Sequence, residues 1–364
     1  VSEPSVRLYG TVRDEHSSTQ VTRGMKRALD HHGQLAGLVP CDMRDEYASY
    51  PGATAPVSLN VGNPEALVQA HRLGHHLRHW LLYAPNGERL PDWFVGRLTQ
   101  TSDVLPNGLV DGFLSPSAWG AGVLRKHFPA KPVVVAPHGV TPEVHCPSRE
   151  GFGELRQARE RGELRILHMT STGSSRKGTP ALVEAWQRML TAGRLGPRAT
   201  LFIVADPLHL STVRWMTDGV AGIQVASGLT HAQEEVADRY RAAHLVCQPS
   251  RAEGFGLCPL EALACGTPVV ATACTGHSEY LFYGRPGAVI VSHGTSAEMA
   301  EDYEGARAPS VTTEAIEEAL CDAIERWPKL KEEAMDNAQK LGRLWAWEAQ
   351  NARAIRALAG EGQP

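Results

Sequence analysis

Ser250-Arg-Ala-Glu-Gly-Phe-Gly-Leu-Cys-Pro-Leu-Glu-Ala-Leu-Ala-Cys-Gly-Thr-Pro-Val-Val-Ala-Thr272 is the stretch from which the rest of the chain can be read. It spells loop, helix, cap and strand in one run. The short apolar segment Leu245-Val-Cys-Gln248 before it predicts a strand, ended by Pro249 and Ser250. Gly254 and Gly256 free the backbone for a tight concave turn. Leu257 to Ala264 has helical composition, and Gly266 stands where a helix C-terminal cap belongs. Pro268 stops the helix, and Val269-Val-Ala-Thr272 predicts the next buried strand.

That local structure has a chemical use. Free backbone amides at a glycine turn, opening a helix, make a site for phosphate. Glu253 precedes the turn and Glu261 lies inside the helix. A carboxylate does not attract a phosphate, but it accepts hydrogen bonds from sugar hydroxyls. The unit therefore offers a phosphate cradle flanked by two hydroxyl acceptors. A nucleotide sugar carries that pattern: ribose, diphosphate, hexose. The plainer alternative, a helix start with two solvated glutamates, does not use the strand-loop-helix-strand context.

The stretch closely resembles the E-x7-E signature of the family 4 glycosyltransferases, retaining enzymes of the GT-B fold. The resemblance implies that Glu253 contacts the donor sugar. It implies that the Gly254, Phe255, Gly256 and Leu257 backbone meets sugar and diphosphate, and that Glu261 binds the ribose. Glu150-Gly-Phe-Gly153 repeats the opening letters but is followed by a polar helix, and reads as linker. The likeness is strong from about Val133 to Leu281 and diffuse elsewhere.

At 364 residues, two domains are expected. A 42% hydrophobic and 21% charged composition supplies ordinary cores. The net charge of −4 argues against a generally nucleic-acid-coating or membrane-coating surface. No apolar run is long enough to span a bilayer, so no integral membrane contact is expected. Val1-Ser-Glu-Pro4 does not read as a signal peptide. The cysteine count is odd, at 7, with no C-x-x-C pair. These read as reduced thiols of a cytoplasmic protein.

The rest of the chain fits around this centre. Val6-Arg-Leu-Tyr9 predicts a strand, and helical spacing follows from Gln20 to His31. Gly10 and Thr11, in the loop between them, are acceptor or cleft candidates by their GT-B position. Val57 to Val61 predicts a strand. Glu65 to Trp80 reads as a helix with His71, His75 and His79 on one face. No cysteine or aspartate cluster supports a metal there, and a solvated or cleft-facing stripe is the expectation. Glu88, in Asn86-Gly-Glu-Arg-Leu-Pro91, resembles a family segment at the cleft. Phe113-Leu-Ser-Pro-Ser117 resembles the family's Pro-Ser turn. Val133-Val-Val-Ala-Pro-His-Gly-Val140 resembles its crossing motif, which makes His138 a donor-contact candidate.

Residues 146–163 are rich in charge with Pro and Gly, and are read as a linker. The expected division is 1–145 as an acceptor-side Rossmann-like domain and 164–340 as a nucleotide-sugar-binding one. The GT-B resemblance implies that residues 341–364 form a helix returning to the first domain, where Trp345 and Trp347 would anchor it, with a break expected near Gly342. Leu164 to Met169 predicts the first strand of the second domain. Arg176 and Lys177 follow in a loop of small polar residues, where two cations suit a diphosphate. The family carries an arginine about five residues before its Lys-Gly pair. Thr172, itself a donor-binding candidate, stands there, so either Arg176 supplies the missing charge beside Lys177 or Lys177 and the backbone hold the phosphates alone. Thr275 to Leu281 resembles the family's Gly-Gly-x-x-Glu turn.

The expectation is therefore a two-domain α/β GT-B protein with parallel sheets facing across a cleft. It would move a sugar from a nucleotide donor to an acceptor hydroxyl, retaining anomeric configuration. The chain has no Asp-x-Asp pair, which implies no metal and no cofactor beyond the donor co-substrate. Preorganised cations and amides would stabilise the leaving group. Oligosaccharide, natural product and hydroxymethylated DNA base stay open as acceptors. A nucleotide-sugar-binding protein without transfer activity, or a GT-B-related phosphorylase or epimerase, is the competing reading.

Overall fold

A parallel strand pair needs a crossover of a dozen or more residues, usually a helix, and helix Ala118–His127 between strands Gly112–Ser115 and Val133–Val135 is one of them. The computed structural model describes residues 6–10, 17–40, 57–61, 78–85, 88–90, 92–99, 110–170, 175–207, 209–227, 232–282, 284–298 and 307–360. The chain divides into two units, one of Val1–Gly139 with Trp345–Pro364, the other of Val140–Leu344.

The first unit holds strands β1 (Val6–Gly10), β2 (Leu35–Pro40), β3 (Val57–Val61), β4 (Arg78–Leu82), β5 (Gly112–Ser115) and β6 (Val133–Val135). They form a parallel sheet in the order β2-β1-β3-β4-β5-β6. One core lies between this sheet and two helices, Ser17–His31 and Trp347–Ala359. Trp347 packs there with Val21, Met25 and Ala28. Arg27 clamps Glu348 with two bonds, Nη2 to Oε1 and Nε to Oε2, both 3.0 Å. Asn351 Nδ2 donates to the Pro137 carbonyl at 3.0 Å.

The second unit holds β7 (Glu163–Thr170), β8 (Arg198–Ala205), β9 (Ile223–Ser227), β10 (Leu245–Gln248), β11 (Val269–Thr272) and β12 (Ala288–Val291). Their order is β12-β11-β10-β7-β8-β9, again parallel. Strands β10 and β11 are buried along their whole length, as expected of a sheet covered on both faces. Ile166, Leu201, Ile203 and Val270 pack against Leu182, Trp186 and Met189 of helix Thr179–Thr191 and against Ile316 and Leu320 of helix Thr313–Glu325. The indoles stay satisfied: Trp186 Nε1 donates to Ala221 O at 3.0 Å and Trp327 Nε1 to His244 O at 2.9 Å. A short antiparallel pair, β13 (Ser296–Glu298) and β14 (Arg307–Pro309), follows. Among the described residues no helix is long and apolar enough to cross a membrane.

The strand order reverses at β7, which has β8 on one side and β10 on the other. The loops leaving β7 and β10 thus diverge at a topological switch point, the place where open α/β sheets take ligands.

Several expectations need correction. His79 is on β4, not on a helix, because the apolar run Trp80-Leu81-Leu82 pairs with β3 and β5. Its Nδ1 lies 2.8 Å from Ser58 Oγ, both buried. His71 and His75 lie outside the described residues. The stretch 146–163 contains helix Arg149–Glu160, whose Leu155 enters the core of the second unit. Glu150-Gly-Phe-Gly153 is the first turn of that helix, capped by Ser148 Oγ accepting from Gly151 N–H at 3.1 Å. The C-terminal helices break at Ala346, which is extended (φ −63°, ψ 142°), while Gly342 is inside helix Trp327–Leu344. Strands β2, β12, β13 and β14 have no counterpart in the reading of the sequence.

Gly24 meets the Trp347 ring so closely that a Cβ would stand 2.1 Å from Cε2. Alanine favours a helix over glycine by up to about 1 kcal/mol. Overpacking a filled site costs about 1–3 kcal/mol. Gly24→Ala is therefore expected to lower the denaturant midpoint of unfolding. A raised midpoint would mean that Trp347 moves aside freely.

Candidate functional site

The loop leaving β10 carries Arg251, Ala252 and Glu253 to the turn that opens helix Leu257–Ala264. Gly256 is the helix N-cap at φ 80°, and no side chain caps this end. A Cβ on Gly256 would stand 2.1 Å from His277 Nε2, so both the backbone angle and the neighbouring ring require glycine. A helix start without a side-chain cap is the kind of end at which first-turn amides bind anions.

A second loop fixes the first. The 3₁₀ turn Thr275–Glu279 follows β11. Thr275 Oγ1 accepts from Glu253 N–H at 2.9 Å, and Gly276 N–H donates to Glu253 O at 2.8 Å. Tyr280 Oη donates to the Gly256 carbonyl, and its ring packs on Phe255 at 5.3 Å. Thr275 itself sits at φ 50°, a region that β-branched residues rarely enter. Strain of this kind persists where surrounding bonds over-determine it.

Into this frame the loop leaving β7 brings two cations. Lys177 Nζ donates to Glu253 Oε1 at 2.6 Å. Arg176 Nη1 lies 3.1 Å from Glu253 Oε2 and donates to the Ala252 carbonyl at 2.6 Å. Arg251 N–H returns a bond to Arg176 O at 2.8 Å. Burial pushes the Glu253 carboxyl up, but the charges of Arg176 and Lys177 outweigh it and hold it well below the usual carboxylate range. Burial lowers the Lys177 ammonium, and Glu253 opposes that shift. His277 is buried and neutral, lowered to about 4 mainly by desolvation, with Nδ1 donating to Thr272 O at 3.0 Å. Beneath the loops His168, lowered to about 4 by burial, ties Cys247 O (2.8 Å) to Thr179 Oγ1 (2.9 Å).

Glu261 lies one helix turn further in, 4% exposed, with Tyr240 Oη donating to Oε2 at 2.8 Å. The second unit thus brings together Arg176, Lys177, Glu253, Gly254, Phe255, Gly256, Leu257 and Glu261. Gly10, Glu88 and His138 belong to the first unit. Gly10 ends β1, and Glu88 is half-buried. His138 is buried against Trp347, ring centroids 5.5 Å apart, and desolvation lowers it to about 3. Thr11 and Thr172 lie outside the described residues. Thr275, His277, Tyr240 and His145 escape the sequence reading as site residues. Only the Gly-Gly-x-x-Glu likeness pointed toward the first two. Among the described residues no cluster of three or more His, Cys, Asp or Glu could hold a metal ion.

A family described as Family 4 Glycosyltransferase in conflict systems matches residues 121–358. The D-inositol 3-phosphate glycosyltransferase of Stackebrandtia nassauensis is 34% identical over 286 residues, 72% of this chain and 63% of the relative. That of Kribbella flavida is 30% identical over 245 residues, 64% of this chain and 52% of the relative. The chain spans less than two thirds of the length of these curated relatives. Among solved structures, sucrose-phosphate synthase from Thermosynechococcus elongatus has a TM-score of 0.67 at 16% identity, covering 99% of this chain and 100% of that one. WaaG, a glycosyltransferase involved in lipopolysaccharide biosynthesis, has 0.62 at 16%, covering 98% and 100%. Anabaena HepE in complex with UDP-glucose has 0.63 at 14%, covering 98% and 99%. These likenesses establish the GT-B fold.

Glu253 is expected to contribute most to stability where it is charged. Its carboxyl is lower in the folded chain than the unfolded value of about 4.3. The contribution is therefore full above that value and is lost as pH falls beneath it. Glu253→Gln leaves two buried cations without their partner, at a cost of about 3 kcal/mol at pH 7. Urea unfolding of parent and variant is expected to show that gap narrowing by about 1.5 kcal/mol at pH 3. A gap independent of pH would contradict the assignment.

Proposed function

The chain belongs to the family 4 glycosyltransferases of conflict systems, and from that premise we propose that it transfers a sugar from a nucleotide-sugar donor to an acceptor hydroxyl with retention of configuration. The observation that carries the proposal is the meeting of Arg176, Lys177 and Glu253 beside an uncapped helix start at the switch point of the second sheet. Anabaena HepE was solved with UDP and glucose, which supports a nucleotide sugar as the donor.

In this reading each group has a separate task. Lys177, Arg176 and the amides of Gly254, Phe255, Gly256 and Leu257 face the donor diphosphate. Charge builds on that diphosphate as the glycosidic bond breaks, so these groups act more strongly in the transition state than in the ground state. Glu253 accepts hydroxyls of the transferred sugar. Its depressed carboxyl stays ionised at any physiological pH, which removes it as a general acid. Glu261 accepts the ribose hydroxyls. Two fixed cations do the work that a divalent ion would otherwise do, and the chain lacks an Asp-x-Asp pair to hold one. The reaction is therefore metal-independent in this account, with the nucleotide sugar as co-substrate. The odd cysteine count suits a cytoplasmic setting. The acceptor is an oligosaccharide, a natural product or a hydroxymethylated DNA base.

The test is product mass after incubation with mixed nucleotide sugars, a panel of those three acceptor classes and a strong chelator. A hexose-sized gain on one acceptor, unaffected by chelator, is expected. Nucleotide-sugar binding with no mass gain on any acceptor would reduce the protein to a binder.

Lys177→Ala should slow turnover about a hundredfold, about 3 kcal/mol of barrier, while donor KM changes less. Arg176→Ala is expected to lose stability as well, because the Ala252 carbonyl loses its bond. Parental kcat in Lys177→Ala would remove that cation from the transition state.

A further inference from the structure

Helix Leu257–Ala264 is apolar except for Glu261, and it is buried from Pro259 to Ala264 with Glu261 included. A carboxylate in such a place is costly unless other groups hold it. Two side chains from distant parts of the sequence do so. Tyr240, 1% exposed on helix Gln233–Arg241, donates its Oη–H to Glu261 Oε2 at 2.8 Å. Burial keeps this phenol far from ionising, so it approaches Glu261 as a neutral donor. The Tyr240 carbonyl also accepts from Thr267 Oγ1 at 2.8 Å, just beyond the other end of the helix.

His145 approaches from the opposite side, its Nε2 3.6 Å from Glu261 Oε1, with both side chains buried. That is too long for a hydrogen bond and acts as an orienting electrostatic contact. His145 Nδ1 lies 3.2 Å from both the amide nitrogen and the carbonyl of Thr141. When Nδ1 accepts from that N–H, the ring proton is on Nε2 and faces Glu261. A ring carrying its proton on Nδ1 alone would turn a lone pair toward a carboxylate. The ring's position therefore favours the Nε2–H form.

A glutamate carboxyl torsion is broad and roughly two-fold when nothing holds it. Accepting two neighbouring hydroxyls of a ribose at once needs that plane fixed. Tyr240 occupies one acceptor position of Oε2 and His145 faces Oε1 without bonding it, which leaves further positions of the about four that a carboxylate offers.

We infer that Tyr240 and His145 are positioning residues that aim Glu261 at the ribose of the donor, and so set the preference of this site for ribonucleotides over nucleotides lacking the ribose hydroxyls. The inference rests on the reading of Glu261 as the ribose acceptor, and its test separates the two. The probes are UDP, GDP and ADP, each titrated by calorimetry into the full chain beside its 2′,3′-dideoxy counterpart. The parent is expected to favour the ribo form of the best-bound pair about tenfold or more. Glu261→Gln should reduce that ratio, and Tyr240→Phe, which keeps the ring, should reduce it to within about threefold of unity. His145→Gln should do the same to a smaller extent and serves if Tyr240→Phe does not fold. Affinity for the dideoxy probe should stay within about twofold throughout, which a merely structural role would not produce. A ratio lowered by Glu261→Gln but parental in Tyr240→Phe and His145→Gln overturns the positioning role and leaves Glu261 in place. A parental ratio near unity, or no binding of any probe, overturns the ribose role itself and this inference with it.

Discussion

The site depends on a buried carboxylate held by two cations. Glu253 is 6% exposed, and Arg176 and Lys177 reach its two oxygens from another loop. Any one of the three charges, buried alone, would cost several kcal/mol. Together they satisfy one another and leave a net positive charge at the mouth of an uncapped helix. The same contacts join the loops of β7 and β10, because Arg176 also holds Ala252 O and accepts from Arg251 N–H. The turn after β11 then fixes Glu253 through both its backbone groups. A diphosphate would meet donors whose positions are set before it arrives, which is the condition for electrostatic catalysis to cost no reorganisation.

This arrangement explains why Glu253 and Glu261, in one short motif, live in different surroundings. Glu253 stands among full charges and is kept ionised by them. Glu261 is directed instead by the Tyr240 phenol and the His145 ring. In the proposed reaction the first would hold the sugar that is transferred. The second suits recognition of a part that does not react.

The parts legible in the sequence are those written within one local stretch. Gly254, Gly256, Gly266 and Pro268 mark turn and cap, and β10, helix Leu257–Ala264 and β11 appear where those residues put them. Arg176 and Lys177 are legible because they follow a strand in a parallel α/β pattern, and such sheets take ligands at the carboxyl ends of their strands. The Thr275 to Tyr280 turn is legible only as a likeness, since its work is done by a strained backbone and by contacts to residues some twenty positions away. Tyr240 and His145 leave no signal, because nothing in their neighbourhoods records a carboxylate reached through the fold. His79 misled because its spacing from His71 and His75 is helical while its own segment is an apolar strand. The break at Ala346 is hidden in the sequence because Gly342 is the conspicuous helix breaker, yet the chain turns extended only at Ala346, four residues later.

The central claim is that Arg176 and Lys177 form a diphosphate site, and affinity for nucleotides of different phosphate number tests it most directly. Calorimetry of the parent with a nucleoside, its monophosphate and its diphosphate is expected to show a step of about tenfold or more on adding the second phosphate. That step should fall with rising salt less steeply than a surface ion pair would, because the cations are buried. Equal affinity for the mono- and diphosphate would contradict the account, since the cations would then serve only to hold Glu253.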